Sequence, residues 1–166
     1  MKKIMYSLIA AFLLFGCGQQ TGPVEKVEKT GGQLPSPSSM ASESDMLIKQ
    51  GVAYLNQSDV VAAIQSFDNA IRKNPRNSRA YMVLSETYMR MNQTDRAIDT
   101  LTALLRVDPG NANGHYLIAM AYGLNGERDT AAVHAQKSVE IFQQERDQEG
   151  FLKALALLNS FNPENQ

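Results

Sequence analysis

The chain has 166 residues, with 16 Lys+Arg against 17 Asp+Glu, a single cysteine and 43% hydrophobic residues. Its near-neutral charge, spread along the chain, lacks the basic footprint of a nucleic-acid binder. One cysteine excludes an internal disulfide framework, and the length bounds the protein to about one domain.

Lys2 and Lys3 precede an apolar run from Ile4 to Phe15 that only Ser7 interrupts, followed by Gly16 and Cys17. That run falls short of the roughly 20 apolar residues a spanning helix needs. A basic start, a short apolar middle and a small residue before the cut make a secretory signal peptide, here residues 1–16. Leu14-Phe15-Gly16-Cys17 resembles the lipobox of bacterial lipoproteins, and that resemblance implies cleavage before Cys17 and lipidation of its thiol. Gly18, in place of the aspartate that retains enterobacterial lipoproteins at the inner membrane, implies an outer-membrane anchor facing the periplasm. Removing residues 1–16 leaves 150 residues with a net charge of −3.

The stretch 17–43 is rich in Gly, Pro, Ser and Gln, with balanced charges and little aliphatic periodicity. It cannot bury enough apolar surface to offset its ordering entropy, and is expected to be a flexible tether spanning roughly 28 Å.

Beyond it the chain repeats. Tyr54, Tyr88 and Tyr122 are 34 residues apart, as are Ala63, Ala97 and Ala131, and Pro75 and Pro109; the small residues Gly51, Ser85 and Ala119 keep the same spacing. Such a period denotes a supersecondary unit stacked on its copies. In length and pattern the units resemble the tetratricopeptide repeat, which implies an all-α fold: a short right-handed solenoid of three helix-turn-helix repeats, 44–77, 78–111 and 112–145. The small residues and the alanines are expected where paired helices approach closely. Asn74 and Asp108 precede proline and leave the α region, ending the second helix of a unit. Asp59, Thr94 and Asn125-Gly126 are expected to supply cap and turn chemistry.

Leu47, Tyr81 and His115 stand where the family often has tryptophan. In the third repeat Ser138 stands where the first has Ala70, and Gln143 replaces the proline, so that the helix is expected to run on to about Arg146. In segment 146–166, Phe151, Ala154, Leu155, Leu158 and Phe161 share one helical face, expected to cap the last repeat.

No catalytic constellation, metal cluster or cofactor motif emerges, and the reading is of a protein that is not an enzyme and uses no cofactor. His115 and His134 fall on different helices of the third repeat with no cysteine beside them, and are read as structural.

The resemblance implies a concave groove lined by the first helix of each repeat. Its positions carry over to Asp45, Ile48, Val52, Leu55 and Asn56; to Arg79, Met82, Glu86, Met89 and Arg90; and to Asn113, Tyr116, Met120, Gly123 and Leu124. Adaptors of heat-shock chaperones in this family hold a peptide carboxylate with Lys, Asn and Arg, whereas here those places hold Ile48, Val52, Tyr116 and Met120. The expected occupant is a protein segment bound through apolar contacts, for which the polarizable methionines suit an irregular surface. The alternative is that these side chains pack between repeats or lie under the linker. The functional expectation is a membrane-anchored scaffold or adaptor in envelope assembly or secretion. The other reading is a self-associating structural lipoprotein, in which Leu152 and Leu157 widen the apolar face of the last helix.

Overall fold

The computed structural model describes residues 36–161; Cys17, the segment expected to be a signal peptide and the segment expected to be a tether, up to residue 35, lie outside the described residues. Within them are seven α-helices and no strand: α1 (Pro37–Asn56), α2 (Val60–Lys73), α3 (Ser78–Arg90), α4 (Thr94–Val107), α5 (Ala112–Leu124), α6 (Arg128–Glu145) and α7 (Gln148–Ser160). Each helix packs on the next, and α1 touches α3, α3 touches α5 and α5 touches α7, so the odd-numbered helices form one continuous layer. The expected all-α architecture of three helix pairs plus a terminal helix is what the chain adopts.

α1 differs from expectation at its start, because residues 37–43, assigned to the tether, are helical. Ser36 accepts a hydrogen bond from the Ser39 amide (3.2 Å) and Pro37 occupies the first turn. Serine as cap and proline just inside it start a helix as readily as they populate a linker. Glu43, in the same stretch, pairs with Lys73 of α2 at 2.8 Å.

The small-residue columns lie in the packed interface. Ala63, Ala97, Ala131, Ser85 and Ala119 are fully buried. At Gly51 a Cβ would stand 2.4 Å from Phe67 Cε1, so α1 lies with its backbone directly against that ring. One core runs through α1 to α5, with Phe67, Leu84, Leu101, Leu104 and Ile118 buried. A second joins α5, α6 and α7 through Ala112, Val139, Phe142 and Ala154.

Two buried hydroxyls occupy mirrored places in these interfaces. Ser44 Oγ of α1 donates to the Ala70 carbonyl of α2, and Ser138 Oγ of α6 donates to the Ala112 carbonyl of α5, both at 2.9 Å. The serine has changed sides between the first and third repeats, and in each case it is paired across the same joint. A buried hydroxyl left unpaired would cost about 1–3 kcal/mol.

The turns inside each pair contain a left-handed residue at one repeat position: Ser58 (φ 62°), Asn92 (φ 58°) and Gly126 (φ 84°). Asp59 caps α2 by accepting from the Ala62 amide at 3.0 Å. Thr94, expected as the cap of α4, is instead its first residue, preceded by Gln93 with no side-chain cap. Its hydroxyl donates to Asn125 Oδ1 at 3.1 Å and ties one turn to the next. Between pairs, Asn74 (φ −140°) and Asp108 (φ −142°) leave the α region before their prolines, ending α2 and α4. Without that proline α6 continues to Glu145, and Arg146 at φ 60° terminates it.

α7 opens as α5 does. Asp147 accepts from the Gly150 amide at 3.0 Å, as Asn111 accepts from Gly114 at 2.7 Å. The terminal helix therefore occupies the place of the first helix of a fourth unit. Its Ala154 is fully buried, and Phe161 rests where a Cβ on Gly123 would lie, 2.7 Å away.

Candidate concave binding site

Because α3, α5 and α7 lie side by side, their facing side chains border two adjoining cavities. The first, of about 520 Å³, has Met82, Val83, Tyr116, Leu117 and Phe142 among its apolar lining, with Arg79, Glu86, Asn113, Asp147, Glu149, Gly150 and Lys153 as its other lining residues. The second, of about 460 Å³, is bordered by Met89, Met120 and Leu124 with Arg90, and shares Glu86, Tyr116 and Leu117 with the first. An apolar lining broken by a few polar groups is the composition of a site that binds a ligand by burial and orients it by charge.

Nine of the residues carried over from the repeat pattern therefore meet here: Arg79, Met82, Glu86, Met89, Arg90, Asn113, Tyr116 and Met120, with Leu124 at the far end. The first repeat contributes to neither cavity. Ile48 is 1% exposed and part of the core, which corrects its assignment to the groove: α1, α2 and α3 converge on it, and the apolar side chain is sealed among them. Val52 remains 38% exposed, while Leu55 packs against the core. Asp45 accepts from Asn77 Nδ2 at 2.9 Å. Gly123 is covered by Phe161.

Seven lining residues were missed from sequence: Val83, Leu117, Phe142, Asp147, Glu149, Gly150 and Lys153. The last four belong to α7 or its cap, which was read as a lid over the last repeat. The signal that could have found them is the match of Asp147 and Gly150 to Asn111 and Gly114. At Gly150 a Cβ would stand 2.5 Å from Phe142, so that α7 sits close on α6 and brings its first turn to the cavity. Glu149 Oε1 accepts from Lys153 Nζ at 2.5 Å, a bond that raises the lysine's pKa on this exposed rim.

Charged groups are distributed unevenly. Several cations in the described residues are partnered: Lys73 with Glu43, Lys137 with Glu140, Lys153 with Glu149, Arg96 with Gln93 and Tyr88. Arg79 and Arg90, on the cavity rims, face solvent. No group of three or more His, Cys, Asp or Glu among the described residues is placed to hold a metal ion, and no described helix is long and apolar enough to cross a membrane. Leu152, at 54% exposed, is the large apolar side chain that α7 leaves open, while Leu157 is half-buried.

The tetratricopeptide repeat family model matches residues 54–121. No curated protein matches the chain. Among solved structures, the chain resembles SycD, a type III secretion chaperone of Yersinia enterocolitica crystallised with a peptide of the translocator YopD: 15% identity, TM-score 0.65, covering 74% of this chain and 94% of that one. It also resembles PcrH in complex with the chaperone binding region of PopD, at 13% identity and TM-score 0.65 over 74% and 92%; PcrH is from Pseudomonas aeruginosa. A third likeness is the first tetratricopeptide domain of Spaghetti, bound to an HSP90 peptide, at 13% identity and TM-score 0.63 over 73% and 91%. At such identities the likeness establishes the fold, a tetratricopeptide solenoid.

Proposed function

We propose that this tetratricopeptide chain is a non-enzymatic, lipid-anchored adaptor of the bacterial envelope. Its concave face takes up a segment of a partner protein, and Cys17 carries the anchor. The observation that carries the reading is the pair of adjoining cavities on the α3/α5/α7 layer, with Met82, Met89, Tyr116 and Met120 in their lining. These half-buried apolar side chains still present surface to the cavities, and an occupant that removes it from water is favoured at about 25 cal/mol per Å². Structural neighbours whose own descriptions name bound peptides support a segment as the occupant. The residues expected to form a peptide-carboxylate clamp are absent, which points to apolar anchoring with Arg79, Glu86 and Arg90 setting register.

The lipobox-like Leu14 to Cys17 supports the anchor, and Gly18 supports the outer membrane facing the periplasm. The segment before α1 then holds the groove off the membrane. Self-association through α7 has less behind it, since Leu152 alone is a small patch.

In-cell crosslinking of the full-length protein, followed by affinity capture and mass spectrometry, tests the adaptor. One envelope protein is expected, lost in the Met82→Asp/Met120→Asp variant and delocalised from the membrane in Cys17→Ala. Capture of the same protein by the charged variant would overturn the groove, and capture of this chain alone would favour self-association.

A further inference from the structure

His115 and His134, which sequence places on separate helices with no evident relation, meet inside the third repeat. His115 Nδ1 lies 3.0 Å from His134 Nδ1, and His115 Nε2 lies 3.2 Å from the Pro109 carbonyl. The rings stack at 5.3 Å, and His134 stacks in turn on Tyr122 at 5.7 Å.

This geometry determines where the protons sit. A carbonyl only accepts, so the His115 Nε2 carries hydrogen and donates to Pro109, which in the neutral ring leaves Nδ1 as a bare acceptor. His134 must then donate from Nδ1. The result is a directed chain from α6 through α5 to the turn that follows α4. A first added proton is accommodated on the outer nitrogen of His134, because the Nδ1–H donor is preserved and now charge-assisted. A second proton has only His115 Nδ1 to occupy. Two N–H groups would then face one another at 3.0 Å with two positive charges between stacked rings, and the contact cannot persist.

We infer that the His115–His134 pair is an acid-sensitive latch that holds α6, and the α7 packed upon it, against α5. The neighbouring groups do not compensate a second charge. α6 offers Lys137, cationic and lying toward His115, with Glu140 bound to Lys137 and Gln136. α5 offers Tyr122, and α7 offers the apolar Leu158 beside the same hollow. On the turn, Asp108 is engaged by Asn111 and Ser78. Half-burial lowers the affinity of both rings for protons; at His115 the bond to the Pro109 carbonyl opposes this in part and Lys137 adds to it, while His134 is further disfavoured by His115.

The sign follows. With the native pKa values depressed, the unfolded chain binds more protons than the folded one once pH falls below the ordinary histidine value of about 6.5. Stability is full above that pH and is lost as pH falls toward the native values. The loss reaches at most tenfold in the unfolding equilibrium per pH unit for each proton not bound by the native state.

The test is the pH dependence of thermal unfolding of the full chain between pH 7.5 and 4.5. It is paired with histidine ring-proton NMR and with His134→Phe, which keeps an aromatic ring on Tyr122 and removes the second titrating group. Two separate titration steps are expected, the lower below the ordinary histidine value, with a steeper fall in Tm in the wild type than in His134→Phe below pH 6.5. Two coincident, ordinary titrations, or the same pH dependence in both proteins, would overturn the latch. Should His134→Phe fold poorly, the NMR titration of the wild type alone decides, and neither of its outcomes depends on the groove having a partner.

Discussion

The packing of α1 on α2 makes a prediction with a change of sign. A Cβ at position 51 would lie 2.4, 2.7 and 2.8 Å from three atoms of the Phe67 ring, which is fully buried and has nowhere to go. Carbon atoms in contact sit at about 3.5–4.0 Å, so Gly51→Ala must push α1 and α2 apart by about 1 Å. Overpacking of this kind costs about 1–3 kcal/mol. Alanine in a helix interior returns about 0.5–1 kcal/mol relative to glycine. The net expectation is about 1–2 kcal/mol of destabilisation. Phe67→Ala alone should cost about 3–5 kcal/mol through the cavity it leaves. With the ring gone, the same Gly51→Ala change meets no obstacle and keeps its helix propensity, so the double variant should be more stable than Phe67→Ala by about 0.5–1 kcal/mol. Urea unfolding of the four proteins, followed by circular dichroism, measures the cycle. An equal cost for Gly51→Ala in both backgrounds would refute the account, since it would mean that the ring is not what the missing Cβ makes room for.

The left-handed turn column predicts that Ser58→Gly stabilises the protein by up to about 1 kcal/mol, while Gly126→Ala destabilises it by about 1–2 kcal/mol; opposite shifts in Tm are the readout. Removing the buried hydroxyl in Ser138→Ala should cost about 0.5–1.5 kcal/mol through loss of the bond to Ala112, and Ser44→Ala about 1–3 kcal/mol, because it loses both the bond to Ala70 and the one it accepts from Asn77 Nδ2, read in denaturant midpoints. Gly150→Ala should cost about 1–3 kcal/mol by overpacking against Phe142, with faster amide hydrogen exchange in α7. Unchanged exchange would show that α7 does not owe its seat to that contact.

Much of the fold was legible because a repeat states its rule several times. Tyr54, Tyr88 and Tyr122 with the alanines at 63, 97 and 131 established the unit, and two prolines marked where helices stop. The start of α1 was misread, since Ser36 and Pro37 belong equally to a tether and to a capped first turn, and composition alone favours the first. Thr94 was misplaced by one position, which suffices to turn a cap into a bridge between turns. Ile48 was assigned to the groove from its repeat position. Only the packing of neighbouring helices reveals that it is sealed.

What the sequence by itself determined is the period, the helix pairing and the apolar stripe of each helix, because these follow from local spacing and are read within one unit. What the tertiary structure decided is how particular helices seat on one another, within a unit as well as between units. It brought α7 alongside α5 to border the cavity, buried Ile48, paired each buried serine with a carbonyl across its joint, and set His115 against His134. Such contacts depend on the angle and depth at which helices meet, which many side chains set jointly and no single column of the repeat encodes.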